Sequence, residues 1–182
     1  MGRFKTFVRD EVLDAATQLF WEKGFADTSL SDLEKVTGVN KSGLYSEFKD
    51  KNDIFVECLK RYQTVHPGIE ILNMQPLGFQ NIENFIKANM TCKGRKGCFM
   101  SNSLRESAII PQKAKHLILD NSKLVLESLI KNLKAAGLKK NIETKGQLIM
   151  TFSAGLSLKL NVLKPEEVAH EVEEFLSLLK NL

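Results

Sequence analysis

Apolar residues recur at three- and four-residue steps along most of the chain, which is the spacing of one face of an α-helix. The first such run consists of Val12, Leu13, Ala16, Leu19 and Phe20. Gly24 follows this run and is suited to end a helix in left-handed geometry. Because no alternating pattern longer than an ambiguous four-residue run occurs, strands are not expected, and the pattern predicts an all-α protein.

Two short helices are predicted next. Ser29 and Asp32 stand three residues apart, as in a capping box whose serine caps the open amides while the carboxylate reaches back. The predicted buried face of this second helix consists of Leu30, Leu33 and Val36. Asn40 is a suitable N-cap for a third helix, in which Leu44 and Phe48 lie four residues apart and face inward.

Three short helices joined by a glycine-containing turn describe a helix-turn-helix. With Leu44 and Phe48 turned inward, the third helix presents Lys41, Ser42 and Tyr45, together with Ser46, on its outward side. These side chains are mostly small and polar, so the helix can lie in a DNA major groove without steric conflict.

The rest of the chain also predicts helices, after an irregular stretch over residues 69–79. A fourth helix over residues 51–65 is capped by Asp50. The later predicted helices cover residues 81–91 with Asn81 as cap, 98–109 ended by Pro111, 112–136, 142–163, and 165–182 with Pro165 in the first turn. A helix-turn-helix domain is therefore expected over residues 1–50, with the helix 51–65 connecting it to a helical domain over residues 66–182.

Composition excludes several classes of protein. No run of about 18 apolar residues occurs and Met1–Phe7 carries no apolar core of a signal peptide, so a cytoplasmic location without a membrane span is expected. The scattered cysteines Cys58, Cys92 and Cys98 form neither a disulfide framework nor a zinc motif. No nucleophile–base motif or glycine-rich phosphate loop is present, so neither an enzyme nor a bound cofactor or metal is expected.

Charge argues against a general attraction to nucleic acid in the first third of the chain. The net charge is +4, yet residues 1–62 hold ten lysine or arginine residues against eleven acidic ones, a net charge of −1. DNA binding by this segment would therefore depend on a local basic rim rather than on a bulk field.

The first 60 or so residues resemble the DNA-binding domain of the tetracycline-repressor (TetR) family. The matching text is LDAATQLFWEKGFADTSLSDLEKVTGVNKSGLYSEFKDKNDIF. The residues in register are Ala16, Leu19, Phe20, Gly24, Phe25, Thr28, Ser29, Gly38, Val39, Lys41, Leu44, Tyr45, Phe48, Lys51 and Phe55. Glu34, Glu47 and the order of Ser42 and Gly43 depart from the family pattern. Further along, residues 95–102 look like the start of a helix in AcrR-like members.

The resemblance implies a three-helix DNA-binding domain with a helix-turn-helix, followed by a C-terminal helical domain for ligand binding and dimerisation. It also implies that Tyr45 donates its hydroxyl to a DNA phosphate; packing of its ring on the first helix is the alternative. The expected DNA contacts are Ser29, Lys41, Ser42, Gly43, Tyr45, Ser46, Lys49 and Lys51. Among these, Lys41 and Lys51 suit phosphate contacts, and Ser29 has capping as its competing role. Arg3 and Lys5 could form an arm for the minor groove.

A protein of this kind is expected to bind a pseudo-palindromic operator as a homodimer and to be a repressor released by a small-molecule inducer. The expected dimer interface is Ile149, Phe152, Leu156, Leu160, Val168, Val172, Phe175, Leu176 and Leu179, with an internal core as the alternative. The expected inducer pocket is Phe85, Met90, Phe99, Met100, Asn102, Leu104, Arg105, Met150 and Phe152, with Glu106 as a further polar anchor; plain core packing is the alternative.

Cys98 opens a second functional hypothesis. It follows Lys93, Arg95 and Lys96 and lies near a predicted helix start, both of which favour a reactive thiolate. A thiol-based regulator that senses oxidants or electrophiles through Cys98 is therefore the alternative to an inducer-controlled one. A small buried cysteine without chemistry is the third interpretation.

Overall fold

A computed structural model describes residues 7–91 and 97–181, and within these ranges the chain is all-α, as predicted. The described residues form ten α-helices and two 3-10 turns, at Asn89–Thr91 and Leu104–Glu106. The helices are α1 (Arg9–Lys23), α2 (Leu30–Thr37), α3 (Lys41–Glu47), α4 (Lys51–Val65), α5 (Gly68–Asn73), α6 (Phe79–Ala88), α7 (Phe99–Ser103), α8 (Gln112–Ala135), α9 (Ile142–Lys159) and α10 (Pro165–Asn181). None of the helices in the described part has both the length and the apolar content that crossing a bilayer requires.

The chain divides into two compact units. The first combines the chain up to Val65 with Ser103–Ile118, and the second combines His66–Asn102 with the chain from Leu119 onward. The predicted division into residues 1–50, 51–65 and 66–182 stays a prediction. The compact units differ from it because α4 belongs with the first three helices and because a segment from the middle of the chain joins them.

The core of the first unit lies between α1, α2, α3 and α4. Phe20, Leu33 and Leu44 are almost fully buried, as are Phe48 and Phe55. The rings of Phe20 and Phe55 meet edge to face with centroids 5.1 Å apart. Ionic contacts add to this packing, since Arg61 of α4 donates to carboxylates on α1. Leu44 and Phe48, which were predicted to face inward, are both buried.

The core of the second unit draws on α5, α6, α8, α9 and α10. It includes seven of the residues expected at a dimer interface: Ile149, Leu156, Leu160, Val168, Val172, Leu176 and Leu179. Each of these is at most 3% exposed, because α9 and α10 bury them within one chain. For these seven residues the structure replaces the predicted interface role with a core role, while Phe152 and Phe175 remain half-buried.

Several local predictions are corrected by the structure. Val36 is 43% exposed and does not join the buried face of α2. The stretch expected to be irregular forms α5 over Gly68–Asn73. Asn81 is not an N-cap but the buried third residue of α6, and its side-chain nitrogen donates to the Met74 carbonyl at 2.7 Å. The helix expected over residues 98–109 is limited to α7 and the 3-10 turn that follows.

A buried asparagine holds the connection between α5 and α6. The Asn132 side chain is fully buried on α8, and its nitrogen donates to the carbonyls of Leu72 at 2.6 Å and Ser128 at 2.9 Å. Its oxygen accepts from the Gly78 amide at 2.9 Å and from the Asn81 side chain at 3.1 Å. All four hydrogen-bonding positions of this amide are therefore used.

We expect Asn132→Ala to lower the free energy of unfolding by about 3 kcal/mol, because it leaves buried backbone groups without partners. Urea unfolding followed by circular dichroism measures the effect. Lys131→Ala, at an exposed position on the same helix, serves as the control and should change stability by less than about 0.5 kcal/mol. Equal stability of the two variants would contradict a structural role for the Asn132 network.

Candidate nucleic-acid interface

The exposed side of α3 carries the residues expected to read DNA. Lys41, Ser42, Tyr45 and Ser46 are exposed, and the Tyr45 side chain is 42% exposed. The opposite side of the helix is anchored, since Leu44 is fully buried. The Lys41 ammonium lies 5.8 Å from the centre of the Tyr45 ring, so both groups emerge at one place on the surface.

Two side chains satisfy the amino end of α3. The Asn40 side chain accepts from the Gly43 amide at 2.9 Å, which confirms the predicted N-cap. The Glu34 carboxylate of α2 accepts from the Lys41 amide. A carboxylate at this end is also favoured by the helix dipole. Glu34 was absent from the predicted site, and its only sequence signal was its departure from the family pattern.

Gly43 is explained at least in part by packing beneath the helix. A Cβ atom at this position would lie 2.7 Å from a methyl carbon of Val39, closer than carbon atoms approach one another. The neighbouring Ser46 hydroxyl donates to the Gly43 carbonyl at 2.6 Å. The Ser46 oxygen therefore faces outward chiefly as a hydrogen-bond acceptor.

Ser29 acts as the N-cap of α2, and the predicted capping box is confirmed. Its hydroxyl oxygen accepts from the Asp32 amide at 3.1 Å, and the Asp32 carboxylate accepts from the Ser29 amide at 2.9 Å. Lys23 also donates to this carboxylate at 2.6 Å. The hydrogen bond from Lys23, followed by those from Ser29, holds the pKa of Asp32 far below its usual value.

Lys51 turns toward its own protein. Its ammonium donates to the carbonyls of Phe25 and Thr28, each at 2.9 Å, and lies 4.3 Å from the centre of the Phe25 ring. An ammonium group has three N–H donors, so one remains for an outside acceptor.

Lys49, in contrast, is exposed. Asp50 caps α4 as predicted, because its carboxylate accepts from the Asp53 amide. Arg3 and Lys5 lie outside the described residues.

The residues expected around an inducer are only partly brought together. Phe85, Met90, Met150 and Phe152 all pack against the core of the second unit. Phe99 and Met100 are buried, at 1% and 4% exposure. Asn102 pairs with the Asn161 side chain through mutual hydrogen bonds of 3.1 Å.

The remaining three belong to the first unit. Leu104 and Arg105 are exposed there. The Glu106 carboxylate accepts hydrogen bonds from the backbone of the α1–α2 loop.

Cys98 is half-buried at the start of α7. Its amide donates to the Ser157 hydroxyl at 2.5 Å. Gly97 has a φ of +61°, and a Cβ atom there would lie 2.1 Å from the Ser157 carbonyl oxygen, so a glycine is required for this approach to α9. Lys93, Arg95 and Lys96 lie outside the described residues. For Cys58, burial raises the pKa of the thiol to about 12.

An apolar face remains exposed on α9 and α10. Leu148 and Leu158 of α9 are 47% and 43% exposed, and Leu178 of α10 is 62% exposed. Between them the rings of Phe152 and Phe175 stack with centroids 3.8 Å apart. We call these five residues, together with Gly155, the α9–α10 face.

No contact among the described residues requires a glycine at position 155. A Cβ atom at Gly155 would meet nothing within 4 Å. A glycine in the middle of a helix costs about 1 kcal/mol relative to alanine. The described residues therefore show no steric requirement that would offset this cost.

Comparison with known proteins matches residues 12–58 to the family model described as "Bacterial regulatory proteins, tetR family". The transcriptional repressor ComR of Escherichia coli is 48% identical over 61 residues, which are 34% of this chain and 29% of ComR. The transcriptional regulator AcrR of Shigella flexneri is 24% identical over 154 residues, covering 78% of this chain and 72% of AcrR. The match to ComR thus spans less than a third of that protein.

Among solved structures, a cysteine mutant of the TetR-family regulator CifR, complexed with a 26-base-pair operator DNA, superposes with a TM-score of 0.78. The alignment covers 96% of this chain and 98% of that chain at 20% identity. At this level of identity the likeness establishes the fold: an N-terminal helix-turn-helix domain followed by a C-terminal helical domain.

We expect Lys51→Met to lower the free energy of unfolding by about 2 kcal/mol, because two hydrogen bonds from a charged donor are lost while the aliphatic stem is kept. Chemical unfolding of the intact chain measures the effect. Lys49→Met is the matched control at an exposed position and should shift stability by less than about 0.5 kcal/mol. If Lys51→Met is as stable as the control, the inward contacts of Lys51 do not stabilise the fold.

Proposed function

The chain belongs to the TetR family of bacterial regulatory proteins, and on this premise we propose that it is a DNA-binding transcriptional repressor that a small-molecule inducer releases from a pseudo-palindromic operator. The observation that carries the proposal is the face of α3, on which Lys41, Ser42, Tyr45 and Ser46 stand exposed above a fully buried Leu44. A helix with a polar outer side and a buried inner side can lie in a DNA major groove.

The contacts divide by chemistry. Lys41 and Tyr45 donate to phosphates, and these contacts position the helix without selecting a sequence. Ser42 and Ser46 reach base edges. Because the Ser46 hydroxyl donates within α3, it selects bases that offer a donor in the major groove, such as the amino group of adenine or cytosine. Lys51 has at most its third N–H available for a DNA phosphate, because the other two donate to backbone carbonyls.

Two copies of the chain bind together in this proposal. One helix-turn-helix makes few base contacts, and a dimer doubles them across two half-sites about one DNA turn apart. The α9–α10 face is the proposed contact between copies, since Leu148, Leu158 and Leu178 expose apolar surface there. Gly155, at the centre of this face, allows a helix of the second copy to approach closely.

The inducer is proposed to bind in the second unit, near the half-buried Phe85, Met90 and Met150. Methionine side chains adapt their shape to varied apolar ligands. Leu104, Arg105 and Glu106 are left out of this proposal because they lie in the first unit. Binding would couple to DNA affinity by a few kcal/mol, as is usual for allosteric regulators.

We expect Tyr45→Phe and Lys41→Ala to weaken binding to every duplex alike, because both remove phosphate contacts. Lys41→Ala should also lower the slope of log affinity against log salt by about one. Fluorescence anisotropy at several salt concentrations measures both quantities, with an operator isolated from genomic fragments that the protein retains. Lys139→Ala, at an exposed position in the second unit, is the control. Unchanged affinity in both α3 variants would refute the contact assignment.

We expect Gly155→Phe to convert a dimer into a folded monomer, because a side chain at this position meets open space within the protomer but blocks a second copy. Sedimentation equilibrium measures the mass, and the affinity for a full operator should fall toward that for a half-site. Lys131→Phe adds the same ring to an exposed position of α8 as a control. A Gly155→Phe protein that remains dimeric would place the interface elsewhere.

A further inference from the structure

One charged side chain from the middle of the chain holds the loop between α1 and α2. The Glu106 carboxylate accepts from the Phe25 amide at 2.6 Å and from the Ala26 amide at 2.8 Å. These residues are about 80 positions apart in sequence. Each carboxylate oxygen takes one amide, so both are engaged in charge-assisted hydrogen bonds with the backbone.

The backbone at Gly24 is shaped for this contact. Gly24 has a φ of +86°, and a Cβ atom there would lie 2.9 Å from a carboxylate oxygen of Glu106. A glycine is therefore favoured twice over, by its conformation and by the closeness of the carboxylate. Any other residue at this position would push the Glu106 side chain away from the loop.

The opposite edge of the loop is held by the opposite charge. The Lys51 ammonium donates to the carbonyls of Phe25 and Thr28. The Thr28 hydroxyl also donates to the Gly24 carbonyl at 2.6 Å. Amides of the loop thus point to a carboxylate and carbonyls to an ammonium, so the loop is fixed along both edges.

The loop leads directly into the DNA-reading helices. It ends at Ser29, the N-cap of α2, and Glu34 of α2 accepts from the first amide of α3. A shift of the loop is therefore passed to α2 and from there to the amino end of α3. The residue that fixes the loop consequently helps to set where α3 lies on the first unit.

Glu106 lies in Ser103–Ile118, a segment of the first unit whose two ends continue into the second unit. Glu106 is followed by Pro111 and then by α8, whose first residues belong to the first unit. The hold on the loop is thus supplied by a segment that the chain ties to the second unit at both ends.

We propose that Glu106 is a positioning residue for DNA binding: its carboxylate fixes the α1–α2 loop, and through it α3, without touching DNA. The inference rests on the proposed function and deepens it. A glutamine in its place has the same shape, yet it presents an NH2 group to one of the two amides and leaves that amide without an acceptor. The loss should therefore appear in the loop and in DNA affinity together.

The test compares Glu106→Gln with wild-type protein by two readouts. Amide hydrogen exchange of Phe25 and Ala26, resolved by NMR, should become at least about tenfold faster in the variant. Affinity for the isolated operator should fall about tenfold, with an unchanged salt slope because no phosphate contact is lost. Glu127→Gln, the same chemical change at an exposed position of α8, should leave both readouts as in wild type.

The outcomes separate this inference from the proposed function. A wild-type protein that binds no duplex refutes the proposed function, and the positioning role for DNA binding falls with it. A Glu106→Gln protein with wild-type operator affinity, or with a changed salt slope, overturns the positioning role while the proposed function stands. Wild-type protein also provides a test without any variant: Phe25 and Ala26 amides that exchange as fast as the Asp27 amide would show that the carboxylate does not hold the loop.

Discussion

A helix of seven residues makes too few internal hydrogen bonds to form alone in water, and α3 is such a helix. It exists because its amino end is satisfied by Asn40 and Glu34 and because Leu44 and Phe48 are buried beneath it. The helix is therefore stabilised mainly by its amino end and its buried side. Tyr45 and its neighbours on the outer side can remain exposed to solvent because the helix does not depend on burying them.

The local features of the first unit could be predicted from the sequence because they depend on residues three or four positions apart. The capping box at Ser29, the cap at Asn40 and the buried pair Leu44 and Phe48 are of this kind. The inward turn of Lys51 could not be predicted in this way. Its partners lie 23 and 26 residues away, and a lysine in a sequence does not show whether its ammonium meets water, phosphate or a carbonyl.

The second unit shows a different limit of the sequence. Periodicity identifies apolar positions on α9 and α10, but it does not distinguish burial within one chain from burial between two chains. Leu156 and Leu176 are of the same residue type as Leu148 and Leu178, yet the first pair is buried and the second is exposed. Only the packed structure shows which apolar residues of each helix stay at least partly exposed, and these share Phe152 and Phe175 with the predicted interface but not its seven buried residues.

In the first unit, Glu106 and Lys51 use their charges to bind the backbone of the α1–α2 loop. The Phe25 ring is only 7% exposed, so the backbone around it is partly shielded from water and needs partners within the protein. Glu106 and Lys51 supply them, one to the amides and one to the carbonyls. Charges engaged in this way add little to the attraction of a polyanion. A count of lysines and acids along the sequence therefore says less about DNA affinity than the few cations, such as Lys41, that stand exposed beside α3.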